Sequence, residues 1–154
     1  MLVQSTGTGQ QVGVVYLTLF AVAFASATIL PLQSEAVLTA LLLTGDRSWP
    51  LLIAVASLGN TLGAVVNWFL GVNINRFRNH RWFPASSHRL AQAEGLYQRY
   101  GRWTLLLAWI PVIGDALTVV AGVMKENLWL FLVLVGLGKT ARYVLLAAGL
   151  AGLF

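Results

Sequence analysis

No Asp, Glu, Lys or Arg occurs in the first 34 residues of this chain, and none lies between Arg47 and Arg76. Water-soluble domains carry charge on about a quarter of their residues; here charged residues make up 10% and hydrophobic ones 58%. An apolar helix of about 20 residues crosses the hydrocarbon core of a bilayer. The chain therefore reads as an all-α integral membrane protein, a single domain over residues 1–154.

The remaining composition narrows the chemistry. Cys is absent, which excludes disulfides, thiol catalysis and cysteine-ligated metals. His80 and His88 have no metal-ligand partners at useful spacing, and no cofactor or metal is expected. No Ser-His-Asp arrangement or Walker motif points to an enzyme. The net charge of +5 rests on arginines between apolar segments, so a nucleic-acid partner is not expected. Ala23–Ala27 has the small residues of a signal-cleavage site. No Lys or Arg precedes the apolar run, however, as a signal's first region requires, so the segment is expected to be retained.

The chain repeats itself after 80 residues. Leu30-Pro31-Leu32-Gln33-Ser34-Glu35-Ala36 aligns with Ile110-Pro111-Val112-Ile113-Gly114-Asp115-Ala116. Asp46 aligns with Glu126 and Trp49 with Trp129. After a one-residue slip, Gly59-Asn60-Thr61 aligns with Gly138-Lys139-Thr140. Each copy is an apolar stretch broken at a proline, with a carboxylate just after the break. Proline cannot donate a backbone hydrogen bond and disfavours helix in the residue before it. Broken apolar segments at matching places in two halves point to a transporter's binding site.

The breaks suggest two re-entrant hairpins. Residues 1–11 read as a polar, frayed tail and 12–30 as an apolar helix. Pro31 breaks it, and Ser34 is placed to N-cap a second helix over 35–44. That helix, about 15 Å at 1.5 Å per residue, is too short to cross a core of about 30 Å. The second hairpin runs down over 103–110, breaks at Pro111–Gly114 and returns over 115–124. Each hairpin precedes a full span, 51–72 and 128–154. Gly59 and Gly63 mark a close-packing face on the first span. Repeat one covers about 12–72 and repeat two about 103–154. Between them lies a basic linker, with an amphipathic helix at 86–102 that buries Leu90, Ala93, Tyr97 and Tyr100 and is expected to lie on the membrane surface. A hairpin followed by one span inverts the second copy. Residues 73–102 hold six arginines, and the positive-inside rule makes them cytoplasmic.

Glu35, Asp115, Lys139 and Arg142 fall inside membrane segments, where an ionisable group is costly and faces a cavity or a partner. Lys139 and Arg142 are three residues apart and share a helix face. With half-helix N-termini they suit a phosphate, while buried acids beside cations suit proton exchange. Asn60 joins these as a candidate substrate or proton-binding residue, although intramembrane asparagines more often fasten helices together. The alternative is that the four charges merely pair and lock the hairpins.

Tyr100-Gly101-Arg102, Trp109-Ile110-Pro111-Val112-Ile113-Gly114-Asp115 and Ala121-Gly122 resemble the DedA membrane proteins, the SNARE-associated or VTT-domain family. Pro31-Leu32-Gln33-Ser34-Glu35 and Gly59-Asn60-Thr61-Leu62-Gly63 extend the resemblance over almost the whole chain, within the short YqaA-like branch. It implies paired re-entrant hairpins in a bacterial inner membrane. It also implies a flippase for undecaprenyl phosphate or a phospholipid, with Glu35 and Asp115 as the hairpin acids; proton exchange at the buried acids would couple that transport to protons. Many members carry arginines flanking the second proline; Ala108 and Gly114 stand there instead, leaving Lys139 and Arg142 as the available cations. A small-solute or ion transporter and a non-transport scaffold are the competing functions, and self-association is left open.

Overall fold

Seven α-helices and one 3-10 helix make up the residues described by the computed structural model, 5–28, 33–77, 79–81 and 85–153. They are α1 (Ser5–Ser26), α2 (Gln33–Leu43), α3 (Trp49–Val72), the short α4 (Ile74–Phe77), α5 (Ser87–Tyr100), the 3-10 helix Gly101–Trp109, α6 (Ile113–Val123) and α7 (Leu128–Ala151). No strand occurs among these residues. Three stretches are long and apolar enough to cross a membrane: Gly9–Ser26, Trp49–Val72 and Leu128–Ala151. Leu58, Phe69, Leu137 and Leu145 on the two long spans point outward, a surface suited to lipid rather than water.

Capping sets several boundaries. Pro50 sits in the first turn of α3, where its missing N–H is no loss. Ser86 caps α5 by accepting from Arg89 N–H at 3.4 Å. Asn127 Oδ1 accepts from the N–H groups of Trp129 and Leu130 at 2.9 and 3.3 Å and starts α7. The polar N-terminal stretch, expected to fray, is helical from Ser5. Helix formation needs only internal backbone bonds, and α1 continues those of the apolar run without a break.

Small residues bring the helices together. A Cβ on Gly59 would lie 2.5 Å from Phe20 O, and one on Gly63 2.4 Å from Phe24 O. The close-packing face expected on α3 is thus the seam with α1, the two helices running side by side in the same direction. On the other flank, Gly71 of α3 and Gly122 of α6 each meet the opposing backbone, Val119 O and Trp68 O. α7 runs back along α3. Two apolar clusters result: Leu19, Leu38, Leu52 and Tyr143 gather around the first half, and Leu105, Leu117, Val120 and Phe131 around the second.

The structure corrects the reading of α5. Leu90, Ala93 and Tyr97 are buried, but their partners are protein: they join the cluster formed with α6 and α7. Tyr100 is exposed, with the Arg99 guanidinium 5.4 Å from its ring. Gly101, at φ 64°, turns the chain immediately afterwards, which takes Tyr100 off the packed face. The Tyr97 hydroxyl donates to the Glu126 carboxylate in the α6–α7 turn. Burial and that carboxylate push the phenol well above its ordinary range.

Candidate functional site

Asn60 and Lys139 are each the twelfth residue of a 24-residue helix. They meet where α3 and α7 cross, at the middle of both. The Lys139 ammonium donates to Asn60 Oδ1 and, at 3.2 Å, to Asn60 O. Asn60 Nδ2 donates to Tyr143 Oη at 2.6 Å, and Tyr143 donates to Ser34 Oγ at 2.9 Å. One polar chain thus runs from α7 through α3 to α2. Lys139 and Ser34 are only 4% and 3% exposed; burial of such groups is tolerable only when they are bonded.

Arg142, one turn on, pairs with Glu35 of α2 and donates from Nη1 to Trp109 O at 2.6 Å. It therefore clasps both halves, the start of α2 and the end of the 3-10 helix. Asp115 lies in the first turn of α6. Among the described residues its carboxylate has no hydrogen bond or ion pair, although Lys139 and Arg142 both act on it electrostatically. Asp115, Lys139 and Arg142 line a cavity of about 20 Å³ with Ser26, Ser34, Asn60, Pro111 and Tyr143. That volume accommodates about one water.

The second break has its own geometry. Val112 stands at φ 71°, ψ −57°, and Ile113 N–H donates to Pro111 O at 2.8 Å. This is a γ-turn of the rare, strained hand, costly for a β-branched residue. α6 starts at Ile113, so Gly114 belongs to its first turn rather than to the break expected over Pro111–Gly114. A Cβ at Gly114 would lie 2.3 Å from Ala108 O; its smallness lets the two arms of the hairpin close. The descending arm, expected as ordinary helix, is 3-10 throughout. Similarly, α2 begins at Gln33, and Ser34 serves as a hydrogen-bond acceptor from Tyr143 instead of an N-cap. Pro31 lies outside the described residues, as does Arg78.

The structure thus brings together Glu35, Asn60, Asp115, Lys139 and Arg142, with Ser34 and Pro111 lining the same cavity. The sequence reading missed Tyr143. Its signal was available: Tyr143 follows Lys139 by four residues, the spacing that places two side chains on one helix face. It also missed the Trp109 carbonyl, for which composition holds no signal. Asn67 is fully buried and fastens α1 to α6, donating to Ala27 O at 2.8 Å and Thr118 Oγ1 at 3.2 Å. No group of three or more His, Cys, Asp or Glu that could hold a metal ion occurs among the described residues.

Long apolar helices around a charged, hydrogen-bonded centre define a multi-span helical membrane protein with a polar site inside the bilayer. The VTT domain model matches residues 12–151, and the chain belongs to this family, the DedA proteins. It is 42% identical over 133 residues to the inner membrane protein YqaA of Escherichia coli, covering 85% of this chain and 87% of that one. The same values hold for inner membrane protein YqaA of Shigella flexneri. It is 34% identical over 138 residues to a Haemophilus influenzae protein, covering 83% and 82%. No solved structure matches. With its apolar spans, this similarity makes the chain a bacterial inner membrane protein.

Proposed function

We propose that the protein moves a phosphate-headgroup lipid, undecaprenyl phosphate or a phospholipid, across the inner membrane, with proton exchange at Glu35 and Asp115. The observation that carries this reading is the mid-span site. Asp115, Lys139 and Arg142 line a water-sized polar cavity beside Glu35, yet among the described residues these four groups make one ion pair, Glu35 with Arg142. A purely structural set would pair all four, because an uncompensated buried charge is costly. Lys139 instead meets a neutral amide, and the Asp115 carboxylate has no bond among the described residues. Both are then available to a phosphate and a proton.

Re-entrant hairpins fit the same reading. Tyr97, before the 3-10 helix, bonds Glu126, after α6, and this closeness of the two ends supports a segment that enters and leaves on one side. A spanning helix of those residues would separate its ends by more than 30 Å. On the first hairpin, Gln10 and Gln11 of α1 share a crevice with Arg47 of the α2–α3 turn, which supports the same reading for its two ends. The α3 span then inverts the second copy, and the arginines of 73–102 favour the cytoplasm for that face. At about 20 Å³ the cavity is closed to a headgroup, so transport requires the hairpins to part.

The Glu35–Arg142 pair favours a second reading, in which the site only locks the hairpins. Reconstitution separates the two. Labelled undecaprenyl phosphate and phosphatidylethanolamine are assayed for translocation in vesicles, with and without a pH gradient. Translocation of either that responds to the gradient is expected; none in either condition would leave the structural role.

A further inference from the structure

The two hairpin ends are finished differently. In the repeat, Asp46-Arg47 corresponds to Glu126-Asn127. At the second end, Tyr97 of α5 covers the turn by bonding Glu126, and Asn127 caps α7. At the first end there is no α5. There, Gln10, Gln11, Val14 and Val15 of α1 and Arg47 line a crevice of about 560 Å³. Arg47 Nε is buried and has no hydrogen-bond partner, and among the described residues its guanidinium makes no ion pair, not even with adjacent Asp46.

We propose that this crevice is a phospholipid site, with Arg47 holding the headgroup phosphate, Gln10 and Gln11 flanking it, and the acyl chains running down Val14 and Val15. The lining is graded as a lipid is graded: amides and a guanidinium where the apolar span of α1 begins, then valines one turn further along it. Trp49, two residues from Arg47, marks the headgroup level where such aromatics collect. A guanidinium offers a planar fork of donors matched to phosphate oxygens, and a buried donor without a partner is costly to leave unmade. In a bilayer the anion always at hand at this depth is a lipid phosphate. The site is separate from Glu35, Asp115, Lys139 and Arg142, at the far end of α1, and stands whether or not those residues transport anything.

The test is native mass spectrometry of the purified full chain with phosphatidylglycerol, with diacylglycerol of the same acyl chains, and with inorganic phosphate as competitor. Wild-type protein is expected to retain one phosphatidylglycerol and little diacylglycerol. Arg47→Gln should weaken retention roughly tenfold or more, the scale of a charge-assisted hydrogen bond, and Arg47→Lys should weaken it less. A Gln10→Leu, Gln11→Leu variant gives an independent second reading and should also lose headgroup preference. Because Arg47 has no hydrogen-bond or ion-pair partner among the described residues, these variants are expected to stay monodisperse. Unchanged retention in Arg47→Gln, or equal retention of diacylglycerol, overturns the proposal. Displacement by millimolar inorganic phosphate would assign the crevice to a free anion instead. Retention that appears only after deletion of Met1–Gln4 would assign it to the chain's own first residues.

Discussion

Lys139 donates from its ammonium to both the side-chain and the backbone oxygen of Asn60, the residue that occupies its own place in the other half of the repeat. Each is at the centre of its helix. Residues at matching places of the two repeats thus touch where α3 and α7 cross. The asymmetry of the pair, cation against amide, makes the contact possible, since two lysines there would repel in a medium of low dielectric.

That relationship makes Lys139 the first test of the site. Lys139→Met removes the charge but keeps the length and apolar body of the side chain. Transport in reconstituted vesicles should fall to background, while equilibrium unfolding in detergent shows a loss of about 1–3 kcal/mol, the scale for leaving the buried Asn60 acceptors without their donor. Transport at wild-type rate would remove Lys139 from the mechanism.

The acids give a sharper separation of transport from structure. Glu35→Gln and Asp115→Asn keep shape but cannot exchange a proton. Each should abolish gradient-dependent translocation. Asp115→Asn should leave stability nearly unchanged, because Asp115 has no bonded partner among the described residues. Wild-type translocation by the double variant would dismiss proton exchange at these groups.

Arg142→Ala should be the most damaging substitution in the site. It strands Glu35 and frees the Trp109 carbonyl, both held by Arg142. The side chains of this pair are about one-fifth exposed, 21% and 22%, so a loss of about 3 kcal/mol is expected, the lower end for breaking a buried pair. Equilibrium unfolding in mixed micelles measures it. Pairing Arg142→Ala with Glu35→Gln should recover part of the loss; strict additivity would deny the coupling.

Val112 offers a substitution expected to stabilise. Its γ-turn conformation costs about 1–3 kcal/mol for a residue with a Cβ, and Val112→Gly removes that strain. The gain is offset in part by the greater freedom of glycine in the unfolded chain, leaving a net rise of about 1 kcal/mol in the same unfolding assay. A loss of stability would mean the valine side chain contributes more by packing than its backbone costs.

Tyr97→Phe should release α5 from the α6–α7 turn. A hydrogen bond to a charged group contributes about 1.5–3 kcal/mol, and its loss should appear as faster proteolysis within 85–100. Proteolysis unchanged from wild type would show that Leu90 and Ala93 hold the helix without it.

Much of this protein was decided by its sequence alone. The uncharged runs committed it to the bilayer, since no aqueous fold leaves such lengths without charge. The repeat marked Pro111 as the neighbour of a break and paired Glu35 with Asp115, and Gly59 and Gly63 announced a seam because only small residues let helix backbones approach so closely. Spacing along one helix also placed Lys139 and Arg142 on a common face. What it could not determine was which partner each polar group took. Arg142 chose Glu35, Lys139 chose Asn60, and Asp115 has no bond among the described residues; those choices depend on angles and depths between helices distant in the chain. The strained turn at Val112, the 3-10 form of the descending arm and the burial of Tyr97 against α6 have the same origin. Backbone closure and interhelical packing override local preference, and only the tertiary structure carries that information.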